Sequence, residues 1–88
     1  MTSDCRTAVD KALGLAQVGD WHAAHALVQD HEEDPMADWL HAILHRIEGD
    51  RANASWWYGK IGRSWPEIST PQELGEVRAA LDALSRDA

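Results

Sequence analysis

Two Gly-Asp pairs, Gly19-Asp20 and Gly49-Asp50, stand thirty positions apart, and each separates two stretches of helical spacing. Glycine stops the first helix of each pair, because it takes a left-handed backbone without strain, and aspartate caps the next. Around them Ala12, Ala24 and Val28 fall opposite Ala42, Ala54 and Tyr58 at the same offset. The pattern in each unit is a small residue where helices cross, a two-residue turn, another small residue, then a larger side chain one turn on. That is an internal duplication of helix-hairpin size, and it restricts the chain to an all-α architecture.

The rest of the punctuation agrees. A first helix is predicted from about Asp4 to Val18 with Ser3 as its cap and Val9, Ala12, Leu13 and Ala16 inward. A second begins after Asp20, carries Trp21, Ala24, His25, Leu27 and Val28, and ends near residue 32 in the acidic DHEED run. The third opens at Asp34-Pro35 and runs to Glu48 on a stripe of Met36, Trp39, Leu40, Ile43, Leu44 and Ile47. A fourth follows Asp50 with Ala54, Trp57, Tyr58 and Ile61 inward. After the GRSWPEIS loop, Thr70, Pro71 and Glu73 read as N-cap, N1 and N3 of a fifth, carrying Leu74, Val77, Leu81 and Leu84. No stretch alternates as a strand would. The expected domain is single: a hairpin over 1–33, a second over 34–66 and a capping helix over 70–86.

These hairpins resemble the tetratricopeptide repeat family, on the residues GDRANASWWYGKIGRSWP and in particular Ala54, Tyr58 and Pro66. The resemblance implies antiparallel helix pairs and a protein-binding role. Asp38 and His41 stand where the family places its leading Trp and Leu, and the period is shorter than the usual ~34 residues. A compact five-helix unit is therefore expected in place of a long superhelix, with the last helix covering surface that two repeats leave open.

Charge and composition exclude several partner classes. With 8 Lys and Arg against 15 Asp and Glu, the net charge is −7, and no basic stripe opposes it. Nucleic acid is not expected as a partner. A membrane is not expected either: no apolar run nears the ~18 residues of a spanning helix, and MTSDCRTAVDKA lacks the features of a signal peptide. A cytoplasmic location follows as the expectation. The single Cys5 excludes an internal disulfide.

What needs explaining is five Trp without Phe, and five His. His41, His45 and Glu48 lie at i, i+4 and i+7 on one helical face, and His25 on the preceding helix can converge on them. Two His one turn apart suit a single metal ion, and a third would complete a shell with an open position. HAILH is not the zincin pattern, since Ala42 holds the place of the glutamate base. Three readings stay open: a hydrogen-bonded polar seam, acid/base chemistry by a histidine beside Glu48, or a divalent metal such as zinc on His25, His41 and His45. The catalytic candidates are His41, His45 and Glu48; otherwise no cofactor is expected.

The central segment also resembles a group of short, largely uncharacterised and mostly bacterial proteins reading HAxxHRxEGDxxNAxYW and then Tyr or Phe. His41, Ala42, His45, Arg46, Glu48, Gly49, Asp50, Asn53, Ala54, Trp57 and Tyr58 match, and Trp56 replaces the usual tyrosine. No activity comes with that resemblance; it implies a polar cluster larger than a helical scaffold needs. Adjacent Trp56 and Trp57 cannot both face inward, and Trp65 lies in the loop, so an aromatic surface is expected. Trp56, Trp57, Tyr58, Trp65, Arg46 and Asn53 form the candidate binding surface. The leading expectation is an interaction or adaptor module that docks a protein or peptide or a second copy of itself; the rival is a small metal-binding protein or hydrolase-like enzyme.

Overall fold

The computed structural model describes residues 1–86, which form five helices and no strand. They are α1 (Ser3–Gln17), α2 (Trp21–Gln29), α3 (Pro35–Glu48), α4 (Arg51–Lys60) and α5 (Thr70–Arg86). The all-α expectation holds.

The two Gly-Asp turns are built alike. Gly19 and Gly49 take φ of 88° and 87°, the left-handed region. In each turn the aspartate N–H reaches back 2.9 Å to the carbonyl five residues earlier, Leu15 and His45, satisfying a helix-end acceptor. Asp20 Oδ1 then accepts from the Ala23 N–H, and Asp50 Oδ1 from the Asn53 N–H, which starts the next helix. Asp34 caps α3 in the same way through the Met36 and Ala37 N–H groups.

Three boundaries differ from expectation. Thr2 rather than Ser3 caps α1, its Oγ1 accepting from the Cys5 N–H at 3.1 Å. α2 ends at Gln29, because Asp30 and His31 turn their N–H groups to carbonyls three residues back and tighten the chain out of the α-helix. The capping box of α5 is Ser69 with Gln72, one residue before the expected Thr70 and Glu73. Ser69 Oγ accepts from the Gln72 N–H at 3.2 Å, and Gln72 Oε1 accepts from the Ser69 N–H at 3.1 Å. Glu73 is thereby released from capping and faces inward.

α3 sits at the centre and packs on all four other helices. Every residue from Ala37 to His45 is buried, so the helix has no solvent-facing side over about two and a half turns. Leu40, Ile43 and Leu44 are fully enclosed, together with Leu13, Val9, Val28, Val77 and Leu81 from its neighbours. Burial of each such side chain contributes about 1.5–3 kcal/mol. Ile47, expected inward, is 41 % exposed, because the packing around α3 loosens in its last turn. No helix among the described residues is long and apolar enough to cross a membrane.

α5 is held by a buried carboxylate. Glu73, 2 % exposed, accepts from Tyr58 Oη at 2.6 Å, Arg46 Nη1 at 2.8 Å and Trp39 Nε1 at 2.9 Å. Arg46 also donates to the Ile68 carbonyl, so the loop before α5 is tied to the same point. One acid thus joins α3, α4 and α5.

Candidate functional site

α2 and α4 each pack on α3 but not on one another among the described residues. A strip of α3 therefore lies between them, and on it stand His41 and His45, one turn apart. His25 arrives from α2 and Trp57 from α4. The Gly49-Asp50 turn folds α4 back on α3, and the short connection over 30–34 folds α3 back on α2, which places His25 beside residues sixteen and twenty positions later in the chain.

His25 Nε2 and His41 Nε2 are 3.1 Å apart. The two rings meet edge to face with centroids 4.8 Å apart, and the His45 ring lies 4.9 Å from that of His41 and 5.1 Å from that of His25. Ligand nitrogens of all three lie within 4.8 Å of one another, so the group could hold a metal ion. His45 Nδ1 is 2.7 Å from Glu48 Oε1. A carboxylate only accepts, so that nitrogen carries a proton and donates it to Glu48. Glu48, a catalytic candidate on sequence, orients His45.

Aromatic rings enclose the cluster. His41 stacks on Trp57 at 3.9 Å and His25 on Trp21 at 4.6 Å. Trp21 Nε1 donates to the Leu44 carbonyl at 2.6 Å, which pins α2 to α3 and holds the ring over His25. Burial pushes the His41 imidazole down to about 3, and the nearby His25, His45 and Lys60 side chains act in the same direction. Burial also lowers His25, with His45 adding to the effect and Glu48 opposing it. Both imidazoles are consequently neutral at pH 7, and across their 3.1 Å contact one Nε2–H donates to the other Nε2, a proton that a metal ion would displace.

Two buried polar atoms near the cluster have no partner among the described residues: His41 Nδ1 and Asp38 Oδ1. Asp38 is 2 % exposed, and its other oxygen, Oδ2, pairs with Lys60 Nζ at 3.0 Å. Lys60 Nζ lies 4.8 Å from the Trp57 ring centroid, the ring on which His41 stacks. Asp38, His41, Trp57 and Lys60 thus form one continuous group.

The expected aromatic surface is only partly present. Trp56 is 61 % exposed, and Asn53 is exposed beside its Asp50 cap. Trp57 and Tyr58 are buried instead, because one faces His41 across α3 and the other hydrogen-bonds Glu73. Trp65 is half-buried: its ring meets Tyr58 edge-on at 5.6 Å and lies under the Arg51 guanidinium at 4.1 Å. Arg46 turns to Glu73, away from any surface role.

Sequence reasoning missed Asp38 and the inward Glu73. Asp38 carried a signal, since with His41 it occupies two places that the repeat family fills with large apolar side chains. Glu73 was hidden by a capping box displaced by one residue. No protein-family model matches the chain, nor does any curated protein or solved structure.

Proposed function

We propose that this chain is a small cytoplasmic helical protein that binds one divalent transition-metal ion of the zinc class through His25, His41 and His45. The observation that carries the reading is the 3.1 Å approach of His25 Nε2 to His41 Nε2. Two nitrogens bound to zinc at about 2.0–2.1 Å in a tetrahedral shell stand about 3.3 Å apart, so these two are already at ligand spacing. A ligand nitrogen of His45 lies within 4.8 Å of both. Glu48 on the far nitrogen of His45 supplies the carboxylate–histidine arrangement that fixes a ligand's tautomer and raises its basicity. Three protein ligands leave a fourth position for water or substrate, the shell of hydrolytic metal sites, and His25 is the ligand nearest solvent.

The test is a calorimetric titration of the metal-free protein with Zn²⁺ and Ni²⁺ at neutral pH, beside a folded His41→Ala, His45→Ala double variant. One equivalent bound, and lost in the variant, is the expected result. No binding by the parent, or equal binding by the variant, refutes the site. A second reading, a protein-docking or self-associating module, draws on Trp56 alone, an indole exposed over most of its surface on α4.

A further inference from the structure

We infer that Asp38 is the positioning residue for His41 in this site, an inference that rests on the metal-binding reading. A metal on His41 Nε2 requires a lone pair there, and a neutral imidazole then carries its proton on Nδ1. That N–H is enclosed in the protein and needs an acceptor, since a buried unpaired donor is unfavourable. Among the described residues no group meets His41 Nδ1, and none meets Asp38 Oδ1. With a metal on Nε2, the two unmatched atoms become one donor and one acceptor. They sit three residues apart on α3, neighbours on one helical face.

Their surroundings tie them together. Asp38 Oδ2 is held by Lys60 Nζ at 3.0 Å, which leaves Oδ1 as the free oxygen of a side chain fixed in place. Lys60 in turn lies against Trp57, and Trp57 stacks on His41. Burial pushes the Asp38 carboxyl up and the Lys60 ammonium opposes that shift, while the tryptophan stacks on the imidazole. A hydrogen bond from His41 Nδ1–H to Asp38 Oδ1, direct or through one water, completes for His41 what Glu48 does for His45. Each of the two α3 histidines then has a carboxylate three residues away on its own helix, Glu48 after His45 and Asp38 before His41. The two acids differ in consequence: Glu48 is solvent-exposed and Asp38 is enclosed. The deeper bond is the less replaceable.

The experiment is a Co²⁺ titration followed by visible absorption, with the parent, Asp38→Ala and Asp38→Asn. It is paired with ¹H–¹⁵N correlation of the imidazole nitrogens in the zinc-loaded parent. Asp38→Ala is expected to weaken binding by about 10- to 100-fold, with Asp38→Asn, which keeps an oxygen acceptor, recovering most of that. In the parent, His41 is expected to show a protonated, hydrogen-bonded Nδ1 and a metal-bound Nε2. Binding by Asp38→Ala within twofold of the parent overturns the role of Asp38 and leaves the metal site standing. So does a zinc-loaded parent in which His41 carries its proton on Nε2, a measurement that needs no variant to fold. A parent that binds neither Co²⁺ nor Zn²⁺ overturns the metal reading and this inference with it.

Discussion

Removing the Glu73 carboxylate should be the most damaging single change that leaves the histidine cluster untouched. In Glu73→Ala, Arg46, Tyr58 and Trp39 each lose the acceptor they hold at 2.6–2.9 Å. Tyr58 and Trp39 are themselves buried, so solvent does not replace the oxygen. Arg46 keeps its bond to the Ile68 carbonyl, which moderates the loss. Breaking a buried charged pair costs about 3–5 kcal/mol. For a chain of 88 residues the whole stability is about 4–13 kcal/mol, so the variant sits near its unfolding threshold. Each kcal/mol lowers the midpoint by about 4–8 °C in a domain of this size, which makes the expected drop at least ~12 °C. Glu73→Gln keeps the shape and one acceptor but turns an amide N–H₂ toward a donor, and it should lose about half as much. Urea unfolding monitored by far-ultraviolet circular dichroism measures both. The reasoning is refuted if Glu73→Ala stays within about 1 kcal/mol of the parent, well below the cost of a broken buried pair.

Two further outcomes follow. The His41 imidazole is held at about 3, below the 6.5 it has when unfolded, so the unfolded chain binds the extra proton between those values. Stability is then full above pH 6.5 and falls as pH drops, by up to about 1.4 kcal/mol per pH unit, with His25 adding in the same direction. Urea midpoints of the metal-free protein between pH 7.5 and 5 should show this slope, and His41→Leu should flatten it; a variant curve parallel to the parent's would contradict the assignment. Trp56→Ala, at a side chain 61 % exposed, should leave stability within about 0.5 kcal/mol of the parent. If Trp56 anchors a second copy, sedimentation should show weaker self-association in that variant, and a parent that is monomeric at every concentration removes that partner.

What the sequence disclosed was mainly local. Gly19, Gly49, Asp20, Asp34 and Asp50 act through their own turn, so their roles followed from identity and spacing alone. The convergence of His25 with His41 and His45 was within reach because the repeat offset put α2 beside α3. Periodicity failed on α3 itself. An amphipathic reading puts apolar residues on one side and His41 and His45 on the other; the repeat alignment corrects it by setting both histidines against the neighbouring helices, and a helix packed by four neighbours buries both sides. Glu73 was misread for a different reason: Ser69 and Thr70 both qualify as caps, and only the Gln72 contacts decide between them. Trp65 shows the limit of reading a loop as surface, since a bond from Arg46 to Ile68 and the stacked Arg51 draw the segment onto the core.

The two polar clusters that α3 shares with its neighbours differ in how completely they are satisfied, and that difference bears on function. At Glu73 every oxygen meets a donor, and the result is a latch joining three helices. At His41 one ring nitrogen is buried without a partner, a neighbouring aspartate oxygen is likewise unmatched, and the imidazole is held far from its ordinary protonation range. An unmatched buried polar atom costs about 1–3 kcal/mol, and an apolar side chain stacked on Trp57 would avoid that cost. The histidine cluster therefore makes the metal-free fold less stable than an apolar core would. A metal ion reverses the sign: it uses the lone pairs that burial keeps unprotonated, and binding to the folded state alone adds its free energy to stability. The polar atoms left over at Asp38 and His41 are those that a bound ion would bring into use.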